Sequence, residues 1–174
     1  MTKIFTEDEI PLGAMQAHFL DSGLNIENVK EKTFGVRSIN GLYITVRIDE
    51  ERKYLRFSCY FDLDKSRSHM DRLLLIQRYT FELFLANFSL DKDSDLVVSY
   101  VMSYEMGLIV GQMMHVFRRF ARLLDLIIEQ ENDDKFIVFE EPNSTDDATL
   151  EETTSEEALS IGVASNTSTE GIAQ

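Results

Sequence analysis

Alternating apolar and polar residues mark two neighbouring segments in the first half of the chain. Every second residue is apolar in residues 42–49 and again in residues 54–61, and a short charged turn separates the two segments. A period of two is typical of strands that bury one face, so these segments predict an antiparallel hairpin. The dipeptide Asn40-Gly41 favours a tight turn and predicts a further strand before it, at about residues 33–39.

Three other segments repeat their apolar residues every three or four positions, which is the period of a helix. The first begins with the capping-box motif Thr6-x-x-Glu9, and Gly23 is its predicted stop. The second is capped by Ser66 or Ser68, and the third covers about residues 107–130. The residues that share one side of each predicted helix are Leu12, Met15, Phe19 and Leu20; Met70, Leu73, Leu74, Gln77 and Phe81; and Ile109, Met113, Val116, Phe117, Phe120, Leu124, Ile127 and Ile128.

The second half of the chain adds one more predicted hairpin. The strand pattern returns at residues 86–90 and 96–104, on either side of a polar turn. The predicted order of elements is therefore α-β-β-β-α-β-β-α. Elements in this order pack helices on an antiparallel sheet, so we predict an α+β fold with a five-stranded antiparallel sheet and three helices.

The charge is unevenly distributed along the chain. The 174 residues carry 17 basic and 31 acidic side chains, a formal net charge of −14. All 17 basic residues and 22 of the acidic ones lie in residues 1–135, whereas residues 136–174 hold nine acidic residues and no basic one. The second part is also rich in Ser and Thr and too poor in apolar residues to bury a core. We therefore predict a folded domain over residues 1–135 and a disordered acidic tail over residues 136–174, although residues 136–139 are apolar enough to dock on the domain.

The composition also limits the classes of partner. A surface this negative repels phosphate backbones and anionic lipid headgroups, which argues against binding to nucleic acid or to a membrane. The sequence has no apolar run of about 18 residues that would predict a transmembrane helix, and its first ten residues lack the apolar stretch of a signal peptide. These features predict a cytoplasmic location.

No motif in the sequence supports catalysis, a metal site or a cofactor. The run from Asp91 to Asp95 resembles the start of a calcium loop, but Leu96 and Met102 stand where that loop needs glycine and glutamate, so a hairpin turn is the better interpretation. The single cysteine, Cys59, lies on the apolar side of its strand, which predicts a core residue. The three histidines fall on different predicted helices without metal-binding spacing. We expect neither enzyme activity nor a cofactor.

The polar side of the first hairpin is the candidate binding surface. It combines tyrosines with arginines, and both residue types are enriched at the energetic centres of protein interfaces. The alternative is a solvated sheet face whose tyrosines cover neighbouring backbone. The residues predicted to bind a protein partner are Tyr43, Arg47, Tyr54, Arg56 and Tyr60, and the next candidates are Arg118, Arg119 and Arg122 on the last helix.

Three stretches carry a resemblance to a known family. They are ANFSLDKDSDLVVSY at residues 86–100, MGLIVGQMM at residues 106–114 and FRRF at residues 117–120. Over about residues 5–130 the chain resembles the YbjN family, also called bacterial sensory-transduction-regulator-like proteins. That family is similar in fold to type III secretion chaperones, and its members are small, acidic and commonly dimeric. The resemblance implies a protein-binding module without catalytic residues.

Two functions from different classes are consistent with these features. The first is a non-enzymatic, chaperone-like or regulatory adaptor that binds an extended segment of another protein by strand addition or groove docking. The second is a sensor that binds a small apolar ligand between helix and sheet, in a pocket lined by Met102, Met106, Met113 and Met114. We also expect a homodimer, because the last predicted helix has apolar residues outside its main stripe that need cover. These are Leu108, Val110, Met114, Leu123 and Leu126.

Overall fold

The structure is a computed structural model that describes residues 4–6, 10–38, 40–129, 132 and 135–139. Three helices and eight strands are found within these residues. In chain order they are β1 (Ile4–Phe5), α1 (Leu12–Asp21), β2 (Ile26–Glu27), β3 (Thr33–Arg37), β4 (Tyr43–Asp49), β5 (Tyr54–Phe61), α2 (His69–Glu82), β6 (Asn87–Leu90), β7 (Leu96–Ser103), β8 (Leu108–Ile109) and α3 (Val110–Glu129).

Six strands form the main antiparallel sheet, in the order β2-β3-β4-β5-β7-β6, and β1 pairs with β8 in a separate two-stranded sheet. The α+β class, the three helices and the antiparallel pairing are confirmed. The predicted single sheet of five strands is wrong, because β1, β2 and β8 were missed. Each of these strands has only two residues, which is too short to show a period of two.

The start of α3 differs from the predicted helix because of Gly107. This residue has a φ of +89°, in the left-handed region that interrupts a right-handed helix. A Cβ atom at this position would lie 2.9 Å from the carbonyl oxygen of Phe5, so the close approach of β1 requires a glycine. Ile4 and Phe5 therefore pair with Ile109 and Leu108. This pairing makes Leu108 and Ile109 a strand, and α3 begins only at Val110.

The first predicted hairpin is confirmed together with its alternation. Strands β4 and β5 pair antiparallel, and their apolar residues point to one face, which we call the inner face. These inner-face residues are all at most 1% exposed: Ile44, Val46, Ile48, Leu55 and Phe57. The tight turn before β4 is also present, since Gly41 has a φ of +83° and donates its N–H to the carbonyl oxygen of Ser38.

Helices α1 and α3 contribute the aromatic residues that cover this inner face. The ring of Phe117 in α3 packs edge-on against Phe19 of α1, with 4.9 Å between ring centroids, and against Phe57 of β5 at 5.3 Å. Edge-to-face pairs add to the stabilisation that burial itself provides. The core therefore lies between one face of the sheet and these two helices.

Helix α1 begins at Leu12, because its N-cap lies five residues later than the predicted N-cap, Thr6. Pro11 is the N-cap and contributes no side-chain hydrogen bond. Thr6 directly follows β1, and Glu9 lies outside the described residues. The predicted buried side is confirmed for Met15 and Phe19 but not for Leu20, which is 57% exposed.

The apolar residues outside the main stripe of α3 are covered within one chain. Leu108, Val110, Met114 and Leu123 are at most 9% exposed, and Leu126 packs against the core. Their need for cover was the sequence-based reason to expect a second subunit on α3, and that reason does not hold. Ile109, predicted within the stripe, belongs to β8 and is 42% exposed.

Helix α2 turns its predicted apolar side outwards. Of the two predicted caps, Ser66 and Ser68, the structure has Ser68, whose Oγ accepts the N–H of Asp71 at 3.1 Å as part of a capping box. The buried residues of α2 are Arg72, Leu75 and Tyr79, and the Tyr79 ring lies 5.7 Å from that of Phe88 in β6. The residues of the predicted side are all exposed: Met70, Leu73, Leu74, Gln77 and Phe81.

The apolar run after α3 docks on the domain, as its composition indicated. Ile137 forms a bridge with Leu63, just beyond the end of β5, and both residues are buried. The Asp64 N–H donates to the carbonyl oxygen of Phe136 at 2.8 Å, and the Arg67 guanidinium lies 4.9 Å above the Phe136 ring. The folded region therefore extends past the predicted limit at residue 135. Residues 140–174, most of the predicted disordered tail, lie outside the described residues.

Candidate protein-binding site

The five residues predicted to bind a partner lie on the outer face of β4 and β5, opposite the buried inner face. Arg47 and Arg56 are exposed, and Tyr54 and Tyr60 are 42% and 58% exposed. Tyr43 is half-buried. The strand alternation therefore brings four accessible side chains to one face of two neighbouring strands, and whether they bind a partner stays a prediction.

The register of the sheet places the two arginines directly opposite each other. Arg47 of β4 is the cross-strand partner of Arg56 of β5. Thr33 of β3 and Val101 of β7 continue the same row on either side. Directly opposed side chains in an antiparallel pair have Cβ atoms about 5 Å apart, so the two positive charges share one small area.

A groove of about 400 Å³ surrounds this arginine pair. We call it the arginine groove. It is lined by Arg47, Asp49, Arg52, Tyr54, Arg56 and Val101. Arg52 comes from the turn between β4 and β5, and Asp49 shapes that turn by accepting the Arg52 backbone N–H at 3.0 Å. The groove thus holds three guanidinium groups and one carboxylate.

Tyr43 has a different role from the other four predicted residues. Its hydroxyl lies across β3 at Gly35, where no side chain larger than hydrogen fits. Asn28 donates its side-chain N–H to the Tyr43 hydroxyl at 3.1 Å, and the Arg37 guanidinium lies 6.0 Å from the ring centroid. Tyr43 therefore covers neighbouring backbone, which is the alternative that the sequence left open.

A row of small polar residues separates the arginines from Tyr60. Thr45, Ser58 and Ser99 follow one another across β4, β5 and β7. Ser58 and Ser99 are only 5% exposed, so this middle row is hardly accessible to a partner. The accessible part of the outer face therefore lies on either side of it, with the two arginines on one side and Tyr60 on the other.

Sequence reasoning missed three residues of the arginine groove. Arg52 and Asp49 belong to the charged turn and to the strand end next to it, so the hairpin itself was a sufficient signal for them. Val101 reaches the groove only through the pairing of β5 with β7, which local periodicity does not specify.

The four methionines of the sensor hypothesis do not line one cavity. Met113 and Met114 are at most 4% exposed and belong to the core, whereas Met106 is 97% exposed. Met102 and Met106 line an open hollow of about 340 Å³ beside β8.

The two chemical motifs singled out in the sequence have structural roles. Cys59 is 2% exposed, and burial raises the pKa of its thiol to about 12, so it is a core residue as predicted. Asp91 accepts the backbone N–H groups of Asp93 and Asp95, which makes the run a hairpin turn, also as predicted. Across the described residues, no three His, Cys, Asp or Glu side chains are grouped to hold a metal ion.

The second arginine cluster is divided by the geometry of α3. All three residues are exposed, but only Arg118 and Arg122 line a groove of about 250 Å³ beside the end of α1, and Asp125 lies in the same groove. Arg119 is not among its lining residues.

In the part of the chain that the structure describes, no helix is both long and apolar enough to cross a membrane.

The comparison with protein families decides where this chain belongs. The family model of YbjN, described as "Putative bacterial sensory transduction regulator", matches residues 21–130. The chain belongs to the YbjN family. The matched residues include β3, β4 and β5, and therefore all five residues of the predicted site.

Solved structures with the same fold include YbjN from E. coli, at 14% identity and a TM-score of 0.62. The match covers 78% of this chain and 99% of that protein. The type III secretion chaperone SycH from Yersinia pestis, solved with a fragment of YscM2, has a TM-score of 0.45 at 14% identity. That match covers 66% of this chain and 97% of SycH. An uncharacterized protein from Methanothermobacter thermautotrophicus has a TM-score of 0.48 at 17% identity, with 67% of this chain and 96% of that protein covered. No curated protein sequence matches this chain.

Proposed function

We propose that this YbjN-family protein is a non-enzymatic adaptor or regulator that binds a protein partner on the outer face of β4 and β5. The observation that carries the proposal is an open sheet face on which Tyr54, Tyr60 and two arginines are accessible together. Tyrosine and arginine combine large contact area with directional hydrogen bonds, which makes them frequent anchors of interfaces. The family description, a sensory transduction regulator, agrees with a protein that acts by binding.

The alternation of β5 supports an extended segment as the form of the partner. Its exposed residues Tyr54, Arg56 and Tyr60 lie at alternate positions along one strand, on either side of the buried Ser58, so a segment that runs along the strand can contact all three. A small-ligand sensor is less well supported, because Met113 and Met114, two of the four methionines predicted to line its pocket, are buried in the core.

The test begins with the partner that the full-length protein captures from its native extract, identified by mass spectrometry. Its dissociation constant is then measured for the wild type, for Tyr60→Ala and for Arg56→Ala. We expect each variant to weaken binding about thirtyfold, the effect of losing an anchor worth about 2 kcal/mol. The matched control is Leu20→Ala, which truncates an equally exposed residue on α1 and should leave the affinity unchanged.

Capture alone would not support the proposal, since any accessible surface can retain a protein. If Tyr60→Ala and Arg56→Ala fold normally by circular dichroism and bind as tightly as the wild type, the outer face is only a solvated surface. The search would then move to the groove of Arg118 and Arg122.

We propose further that the exposed apolar side of α2, together with Phe84 just beyond the end of the helix, pairs two copies of the chain. Phe81 and Phe84 are 84% and 86% exposed, and each ring offers about 150–250 Å² of contact area, a large part of the roughly 800 Å² that each partner of a stable dimer buries. Asp71 lies near the start of α2 and Arg78 nearer its end, so an antiparallel pair of helices brings opposite charges together. Sedimentation equilibrium at micromolar concentration tests this, and a single species near 20 kDa would contradict it.

A further inference from the structure

The direct opposition of Arg47 and Arg56 needs an explanation that stability does not provide. Like charges placed directly opposite each other in an antiparallel pair are destabilising. An exposed strand position accepts side chains of any charge, so a neutral or acidic residue at position 47 or 56 would remove the repulsion. Yet Arg52 adds a third positive charge to the same groove.

The three guanidinium groups have their donors available for a ligand. Within the described residues, none of the three makes an ion pair or a side-chain hydrogen bond. Other basic residues of the chain are used differently: Arg37 pairs with Glu27 at 2.8 Å, and Lys65 pairs with Asp95. In a chain with a net charge of −14, the arginine groove is thus a local excess of positive charge, with three guanidinium groups against the one carboxylate of Asp49.

We propose that the arginine groove binds carboxylate side chains of an acidic peptide segment. Guanidinium groups form paired hydrogen bonds with the two oxygens of a carboxylate, so opposed Arg47 and Arg56 can hold one from both sides. A carboxylate bound between the two arginines offsets the repulsion between them. The inference deepens the proposed function, because it names the chemistry that the protein partner would carry.

Two features of the groove favour a carboxylate over a phosphate group. Asp49 lines the groove and repels a doubly charged phosphate more strongly than a singly charged carboxylate. Tyr54 and Val101, each 42% exposed, offer apolar contact beside the charges, which suits a peptide side chain with its backbone attached. The volume of about 400 Å³ has room for more than one side chain.

The experiment measures binding of a fluorescein-labelled deca-glutamate peptide to the full-length protein by fluorescence anisotropy. The variants are Arg47→Gln and Arg56→Gln, and the matched control is Arg119→Gln, which removes the same charge from an exposed position outside the groove. We expect each groove variant to weaken binding at least about tenfold and the control to change it less than about twofold. Asp49→Asn keeps an acceptor for the Arg52 N–H and should tighten binding about twofold.

Three results would overturn the inference. The first is a wild type that does not bind deca-glutamate, or binds it no better than deca-glutamine. The second is an equal loss in Arg119→Gln, which would assign the effect to overall charge. The third is displacement of the peptide by inorganic phosphate at concentrations at which acetate has no effect, which would assign the groove to phosphate. If the natural partner still depends on Tyr60 in any of these cases, the proposed function stands without this site.

Discussion

The two faces of the β4–β5 hairpin consist of alternate residues of the same strands, yet they follow different physical rules. On the inner face, Ile48, Leu55 and Phe57 are at most 1% exposed and touch residues of the helices and strands around them. On the outer face, Arg47 and Arg56 are exposed and oppose each other in spite of their like charges. Packing explains the residues of the inner face. It does not explain the opposed arginines of the outer face, and that they bind a partner is our proposal.

The largest expected effect is the difference in stability between a substitution on the inner face and one on the outer face. Phe57→Ala should lower the free energy of unfolding by about 3–5 kcal/mol, because it removes a fully buried ring that contacts Phe117. Tyr60→Ala, on the outer face of the same strand, should lower it by less than about 1 kcal/mol. Urea denaturation of both variants measures the difference, and equal losses would mean that the outer face is also part of the core.

A smaller effect on stability is expected from removing the buried residues that follow α3. Ending the chain after residue 135 removes Phe136 and Ile137, which are 9% and 3% exposed, and should lower the free energy of unfolding by about 3 kcal/mol. Ending it after residue 140 keeps both residues, and we expect the melting temperature to change by less than about 3 °C. Calorimetry of the two shortened chains decides. A drop of about 10 °C or more in the longer chain would show that residues 141–174 contribute to packing.

The smallest effect concerns a polar contact at the end of the sheet. Burial acts to raise the pKa of Asp95, but hydrogen bonds from Lys65 and from the Leu63 N–H outweigh it and hold this pKa below its ordinary value of 3.8. A carboxylate with a lowered pKa in the folded state stabilises the protein above its unfolded pKa, and the contribution is lost as the pH falls through the folded value. Asp95→Asn should therefore cost about 1 kcal/mol at pH 7, since Lys65 is half-exposed, and progressively less as the pH falls below about 4. A cost that is the same at pH 7 and pH 3 would contradict this.

Helices α2 and α3 show how far a periodic pattern predicts packing. Both have an apolar side with helical spacing, and both helices are present. The apolar side of α3 is buried, with Phe117 and Phe120 at most 1% exposed, whereas Phe81 on the corresponding side of α2 is 84% exposed. Periodicity identifies a side of a helix, but the position of the sheet decides whether that side is covered.

The sequence by itself determined the features that depend on near neighbours in the chain. The alternation in β4 and β5 predicted the hairpin, and with it the outward direction of Arg47, Tyr54, Arg56 and Tyr60, because successive strand residues point to opposite faces. Only the tertiary structure decided which residues of distant segments meet: Val101 in the arginine groove, Ile137 beside Leu63, and β1 beside β8. Pairings of this kind depend on the register between elements far apart in the chain, and the strands involved can be as short as two residues, too short for any periodic signal.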